Sequence, residues 1–90
     1  MSTYRLPFLL HGVTGRMGDV AHRALKLIAE SGGVAVNGDR FEPVPIGIGR
    51  SLDKLAAYAD ANGLELYFDS VERALSEARE INPDYQVYHN

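Results

Sequence analysis

Three glycines, Gly12, Gly15 and Gly18, stand at an even spacing of three in "HGVTGRMGDVAHRAL", residues 11–25. They constrain the chain more than any other feature, because of what lies on either side. Before them, Tyr4 to Leu10 reads as a strand; Pro7 cannot donate to a ladder, so the paired part is expected at Phe8 to His11. After them, Met17, Val20, Ala21, Ala24, Leu25 and Ile28 recur at helical intervals, with Asp19, Arg23, Lys26 and Glu30 on the other face. A turn that leads from a buried strand straight into a helix needs backbone conformations open to glycine. The helix's first amides and its dipole then form a natural anion site.

The rest of the chain repeats the strand and helix alternation. The first helix is expected to stop at Gly32-Gly33. Asn37-Gly38 signals a small hairpin between Val34–Val36 and the run Phe41–Ile48, feeding a second strand over roughly Val44 to Gly49. Ser51 is a fitting N-cap for a second helix bearing Leu52, Leu55, Ala56 and Ala59, ended by Gly63. "LELYF" reads as strand three. Ser70 caps a third helix with Val71, Ala74, Leu75 and Ala78, Asn82-Pro83 ends it, and Tyr85 to Tyr88 reads as strand four.

This βαβαβαβ order implies a parallel sheet joined by right-handed crossovers. The expectation is a doubly wound, Rossmann-like α/β fold of about four strands in the order 3-2-1-4, with three helices and a small hairpin before strand two. Helices one and two would cover one face and helix three the other. The outer edge of strand four, with "YQVY" along it, would then be open to a second copy.

Ninety residues allow one domain with a thin core. With 46% hydrophobic and 23% charged residues, the composition is that of a soluble globular chain rather than a disordered or membrane one. The net charge of -3 and the scattered Lys and Arg lack the basic footprint of a nucleic-acid binder. The patch Leu6 to Leu10 is far too short to span a membrane. With no cysteine, disulfides, thiolate catalysis and cysteine metal sites are excluded, which fits a reducing, cytoplasmic setting.

Within the glycine turn, Gly12 would make the tight bend, Gly15 would let a diphosphate approach the backbone, and Gly18 would let the helix pack closely on strand one. The G-x-x-G-x-x-G spacing is one residue longer between its first two glycines than the usual dinucleotide fingerprint. The alternative is that the glycines serve only a tight connection. In "IGIGRSLDKL", residues 46–55, the position after strand two where an NAD site usually carries a carboxylate holds Gly49 and then Arg50. Arg50 would pair with a 2′-phosphate, helped by the Ser51 hydroxyl and by Lys54 one turn on. This favours NADP(H) over NAD(H). The plain alternative is an Arg50 solvated at a helix start, where the dipole mildly disfavours it.

"GVTGRMG", "GRSLDKLAAYADANGLELYFDSVERAL" and "GGVAVNGDRFEP" together resemble the N-terminal domain of the Gfo/Idh/MocA-type oxidoreductases, the family of glucose-fructose oxidoreductase and inositol dehydrogenase. The "GRMG" turn is also similar to that of dihydrodipicolinate reductases. The resemblance runs from about Pro7 to Tyr88. It implies a pyridine-nucleotide-dependent oxidoreductase acting on a sugar, polyol or related hydroxyl or aldehyde compound. It matches Gly12, Thr14, Gly15, Arg16 and Met17 to the diphosphate loop, and Arg50, Ser51 and Lys54 to the ribose-phosphate end. In that family a lysine of an E-K-P-type segment and a separate α+β substrate domain lie beyond strand four. Residues 1–90 are therefore expected to be a partial NAD(P)-binding domain without catalytic residues of its own.

Other candidates have simpler uses. His11, beside the glycine turn, could touch a cofactor but suits a local hydrogen bond; His22 lies between helix faces and is expected in solvent; His89 follows strand four near the chain end. Asp69 and Ser70 could border an adenosine pocket, although capping helix three is their better use. No His, Asp and Glu spacing resembles a metal site, and no hydrolase or triphosphatase motif is present. Tyr58, Tyr67, Phe68, Tyr85 and Tyr88 read as core or interface residues. The competing functional class is a non-catalytic module that self-associates through the strand-four edge.

Overall fold

A computed structural model describes residues 2–83 and, for the backbone, residues 88–89. The chain runs through β1 (Thr3–His11), α1 (Arg16–Glu30), β2 (Val34–Val36), β3 (Asp39–Ile48), α2 (Leu52–Asn62), β4 (Leu66–Phe68), α3 (Val71–Ile81) and β5 (Tyr88–His89). It is an α/β fold built on a mixed sheet, whose spine is the parallel pair β1 and β3, in register from Thr3↔Arg40 to His11↔Ile48. No helix among the described residues is long and apolar enough to cross a membrane.

The helices begin and end where side-chain chemistry dictates. The Ser51 hydroxyl accepts from the Lys54 N–H at 3.3 Å and the Ser70 hydroxyl from the Arg73 N–H at 3.4 Å, each satisfying one of the amides a helix start leaves open. At the end of α1, Gly32 N–H reaches the Ala29 carbonyl and Gly33 N–H the Ile28 carbonyl, the paired bonds of a Schellman stop. Gly63 closes α2.

Several expectations about the sheet need correction. The hairpin and strand two are not separate elements: β3 is one ten-residue strand from Asp39, and its first residues pair antiparallel with β2. The Asn37-Gly38 turn therefore folds β2 into the same sheet. The result is not a four-strand, all-parallel layer in the order 3-2-1-4. The path runs β2-β3-β1-β5, and β4 pairs parallel with β3 off that path. Since β1 occupies one edge of β3 throughout, β2 (opposite 39–41) and β4 (opposite 46–48) share the other edge at its two ends. Strand three is shorter than "LELYF", starting at Leu66.

Proline placement follows from this edge sharing. Pro43 and Pro45 fall in the part of β3 that lies between the levels of β2 and β4, where no described strand pairs on the outer edge. Residues two apart aim their main-chain groups at the same edge, so neither proline forfeits a ladder bond there. Pro7, too, is inside the paired strand rather than before it, because pairing with β3 starts at Thr3. On the other edge of β1 the pairing with β5 begins only at Phe8, which leaves room for a residue without an N–H. Of the expected fourth strand, residues 85–87 lie outside the described residues, as does the edge contact expected of them.

Alternation along β1 splits the core. Leu9 faces α3 with Ile46, Ile48, Ala74 and Ala78, while Leu10 faces α1 and α2 with Val13, Leu55, Ala59 and Leu64. Asn82 ties the end of α3 back to β1 through a 2.8 Å bond from its amide to the Arg5 carbonyl. Helix α1 does not bury the stripe its periodicity suggests. Gly18 and His22 are its buried residues, whereas Met17, Val20 and Ala24 face outward. The cause is Gly18: a Cβ there would sit 2.3 Å from the Gly12 carbonyl oxygen and 2.6 Å from Val13 Cα. The helix lies so close to the end of β1 that only glycine fits at the contact, and this contact fixes which face turns inward.

Candidate functional site

The C-terminal ends of three parallel strands are held level by backbone bonds. Gly12 N–H donates to the Ile48 carbonyl at 2.8 Å, and Gly49 N–H to the Phe68 carbonyl at 3.2 Å. A cleft of about 460 Å³ opens above them, in the size range of small-molecule sites. One wall comes from the end of β1 and the turn after it, with His11, Gly12 and Thr14. The opposite wall is Arg50, Ser51 and Lys54 at the start of α2, and Asp69 and Val71 close the third side. Ile48 and Leu55 give it an apolar floor.

The turn is built as follows. Gly12 has φ +62°, a left-handed conformation that side chains rarely adopt. Gly15 N–H closes the turn on the Gly12 carbonyl at 2.8 Å, and Gly15 then serves as N-cap of α1 without a side chain to bond the open amides. The first intrahelical bond is Asp19 N–H to the Gly15 carbonyl at 2.9 Å. The amides of Arg16, Met17 and Gly18 precede it, so helix geometry gives them no partner within α1.

Five of the nine residues expected to hold a cofactor, Gly12, Thr14, Arg50, Ser51 and Lys54, line this one cleft. The other four do not. Gly15 is the cap, Gly18 is packed on Gly12 and Val13, and the Arg16 and Met17 side chains are exposed on α1. Ser51 uses one oxygen lone pair to cap Lys54 N–H and keeps its own proton to donate. Of the residues considered secondary, His11 and Asp69 line the cleft, and Ser70 caps α3.

The residue misjudged from sequence is His22. It is 1% exposed rather than solvated. Its Nδ1 lies 2.9 Å from the Tyr58 hydroxyl, which in turn donates to Asp19 Oδ1 at 2.7 Å. Since a carboxylate can only accept, the single phenolic proton points to Asp19, and the imidazole must donate from Nδ1. Its Nε2 is then a bare acceptor, buried with no partner among the described residues. Burial pushes the His22 pKa down, helped by the nearby Lys26 charge, so the ring is neutral at pH 7. Hydrogen bonds from Tyr58 and Arg23 hold the Asp19 carboxyl below its usual range, and burial followed by the bond to Asp19 pushes the Tyr58 phenol well above its own. This relay joins the first turn of α1 to the middle of α2. It thereby braces the two helices whose N-termini border the cleft.

No protein-family model matches the chain, and no curated protein matches it. The functional reading therefore rests on the cleft. Sequence reasoning missed the relay because its members are 36 to 39 residues apart and nothing local marks them. The floor residue Leu55 carried a signal only as part of the periodic face of α2.

Proposed function

We propose that the cleft binds a pyridine dinucleotide, NADP(H) in preference to NAD(H), as the cofactor-binding portion of an oxidoreductase with a doubly wound, Rossmann-like ancestry. One observation carries this reading: the glycine turn after β1 and the Arg50-Ser51-Lys54 segment after β3, distant in sequence, form facing walls of a single cleft at the carboxyl ends of parallel strands. Ligands of open α/β sheets bind at such strand ends. In this reading the open amides at the mouth of α1 receive the diphosphate, and the apolar floor of Ile48 and Leu55 supports the adenosine. The Arg50 guanidinium, the Ser51 hydroxyl and Lys54 receive the 2′-phosphate. No residue of the chain is assigned an acid or base role. The resemblance to Gfo/Idh/MocA-type enzymes supplies the substrate class of the proposal, a sugar, polyol or related hydroxyl or aldehyde compound.

Titration with NADPH and NADH, followed by calorimetry or nicotinamide fluorescence, tests it. Saturable binding is expected, tighter for NADPH, and Arg50→Ala is expected to lower the NADPH to NADH preference by about tenfold, the loss of one charge-assisted pair. Absence of saturable binding of either nucleotide ends the proposal, and an unchanged preference in Arg50→Ala ends its NADP part.

A further inference from the structure

The outward turn of α1 leaves an apolar ridge uncovered. Met17 is 79% exposed, Val20 58% and Leu27 67%, and Ala24 between them is also exposed. Their spacings of three, four and three place all four on one narrow stripe, opposite the buried Gly18 and His22. The flank of the stripe carries Arg16 near its start and Glu30 at its end. Between those ends Arg23 is neutralised by its own Asp19, with Nε 3.0 Å from Oδ2.

Such a ridge is complementary to itself when a second helix runs antiparallel. A twofold axis passing level with residue 22 sets Met17 against the partner's Leu27 and Val20 against the partner's Ala24. The same axis keeps both charged flanks on one side and brings Arg16 within two residues, about 3 Å along the helix, of the partner's Glu30 at each end, an offset its long side chain spans. Arg23 is the residue of the charged flank nearest the axis, where a lone cation would repel its symmetry mate, and it is the one already paired within its own chain. The hold of Glu30 on Lys26 is loose, at 4.0 Å, and leaves its carboxylate able to turn to a partner.

We propose that this ridge is an interface between two copies of the chain, joined α1 to α1 in antiparallel register with Arg16 and Glu30 as reciprocal end contacts. The contact is a single helix pair and falls at the small end of specific interfaces, so a reversible equilibrium in the micromolar range or weaker is expected rather than a permanent dimer. Each substitution counts twice in a symmetric interface.

Sedimentation equilibrium over a wide concentration range tests the proposal, with circular dichroism confirming that each variant is folded. The native chain is expected to pass from monomer to dimer. Leu27→Lys is expected to weaken association by more than about tenfold, since it buries two cations in the apolar seam. Arg16→Glu and Glu30→Arg singly are expected to weaken it about 3–10-fold at low salt, and the double variant to recover most of the loss. A chain that stays monomeric throughout overturns the proposal, and so does a dimer indifferent to Leu27→Lys. Failure of the double variant to improve on its parents overturns the antiparallel register.

Discussion

The two faces of the sheet are made from the same strands and solve different problems. Leu9 and Leu10 are neighbours in β1, yet Leu9 enters a seam with α3 whose buried core is apolar, Ile46, Ile48, Ala74 and Ala78, with one polar tie at its end from Asn82 to the Arg5 carbonyl. Leu10 enters a seam with α1 and α2 that also contains a buried histidine, a bonded tyrosine and two glycines in close approach. At Gly47 a Cβ would come within 2.7 Å of Leu64 Cδ2 and 2.8 Å of Val13 Cγ1, a close approach to side chains where that at Gly18 is to backbone. The α3 face is held mainly by apolar contacts, which are non-directional. The α1 and α2 face must hold two helix N-termini at a fixed height beside the cleft, which takes close backbone approach and directional hydrogen bonds.

The comparison can be broken most forcefully in the apolar seam. Leu9→Ala is expected to cost about 2–5 kcal/mol in chemical denaturation, with no change in how stability varies with pH. A loss of nucleotide affinity beyond what unfolding explains would show that the α3 face also shapes the site. Gly18→Ala comes next, at about 1–3 kcal/mol, because the new methyl meets backbone that cannot rotate away. Here nucleotide affinity is expected to fall together with stability, as α1 is pushed off the end of β1. A variant of native stability would contradict the close approach.

Tyr58→Phe sharpens the contrast on a smaller scale. It removes the group that satisfies both Asp19 and His22 while keeping the ring, and a fall in Tm of several degrees is expected, against little change for Tyr67→Phe on the same face. The smallest effect is the pH dependence of His22, which packs among Asp19, Arg23 and Lys26. Its folded pKa lies below the unfolded value of about 6.5, so the unfolded chain binds the proton first. Stability is therefore complete above that pH and declines as the pH falls from 7 to 5. His22→Gln is expected to flatten that decline, measured by Tm at each pH, and Leu9→Ala to leave its shape intact.

Much of the site was written locally and much of the packing was not. The Gly12, Gly15 and Gly18 spacing announces a strand, a turn and a helix, and Ser51 and Ser70 announce two caps, because each signal acts on its own few neighbours. The facing of Gly12 and Thr14 with Arg50, Ser51 and Lys54 followed from placing two βα turns at one end of the sheet. The inward face of α1 could not be read from hydrophobic periodicity, since a steric contact between Gly18 and Gly12 overrode it and carried His22 inside. The continuity of β3 was hidden in the same way. Two prolines argue against a long strand unless the partners on its outer edge are known to stop at residue 41 and resume at 46.

Those two prolines also bear on how the chain behaves in a crowded solution. An uncovered strand margin is the usual seed for fibril growth, as each bare amide recruits the carbonyl of an incoming molecule. With imino nitrogens at Pro43 and Pro45, the stretch between β2 and β4 has too few donors to template another layer. The longest described strand thus carries, at its own unpaired margin, a guard against amyloid growth.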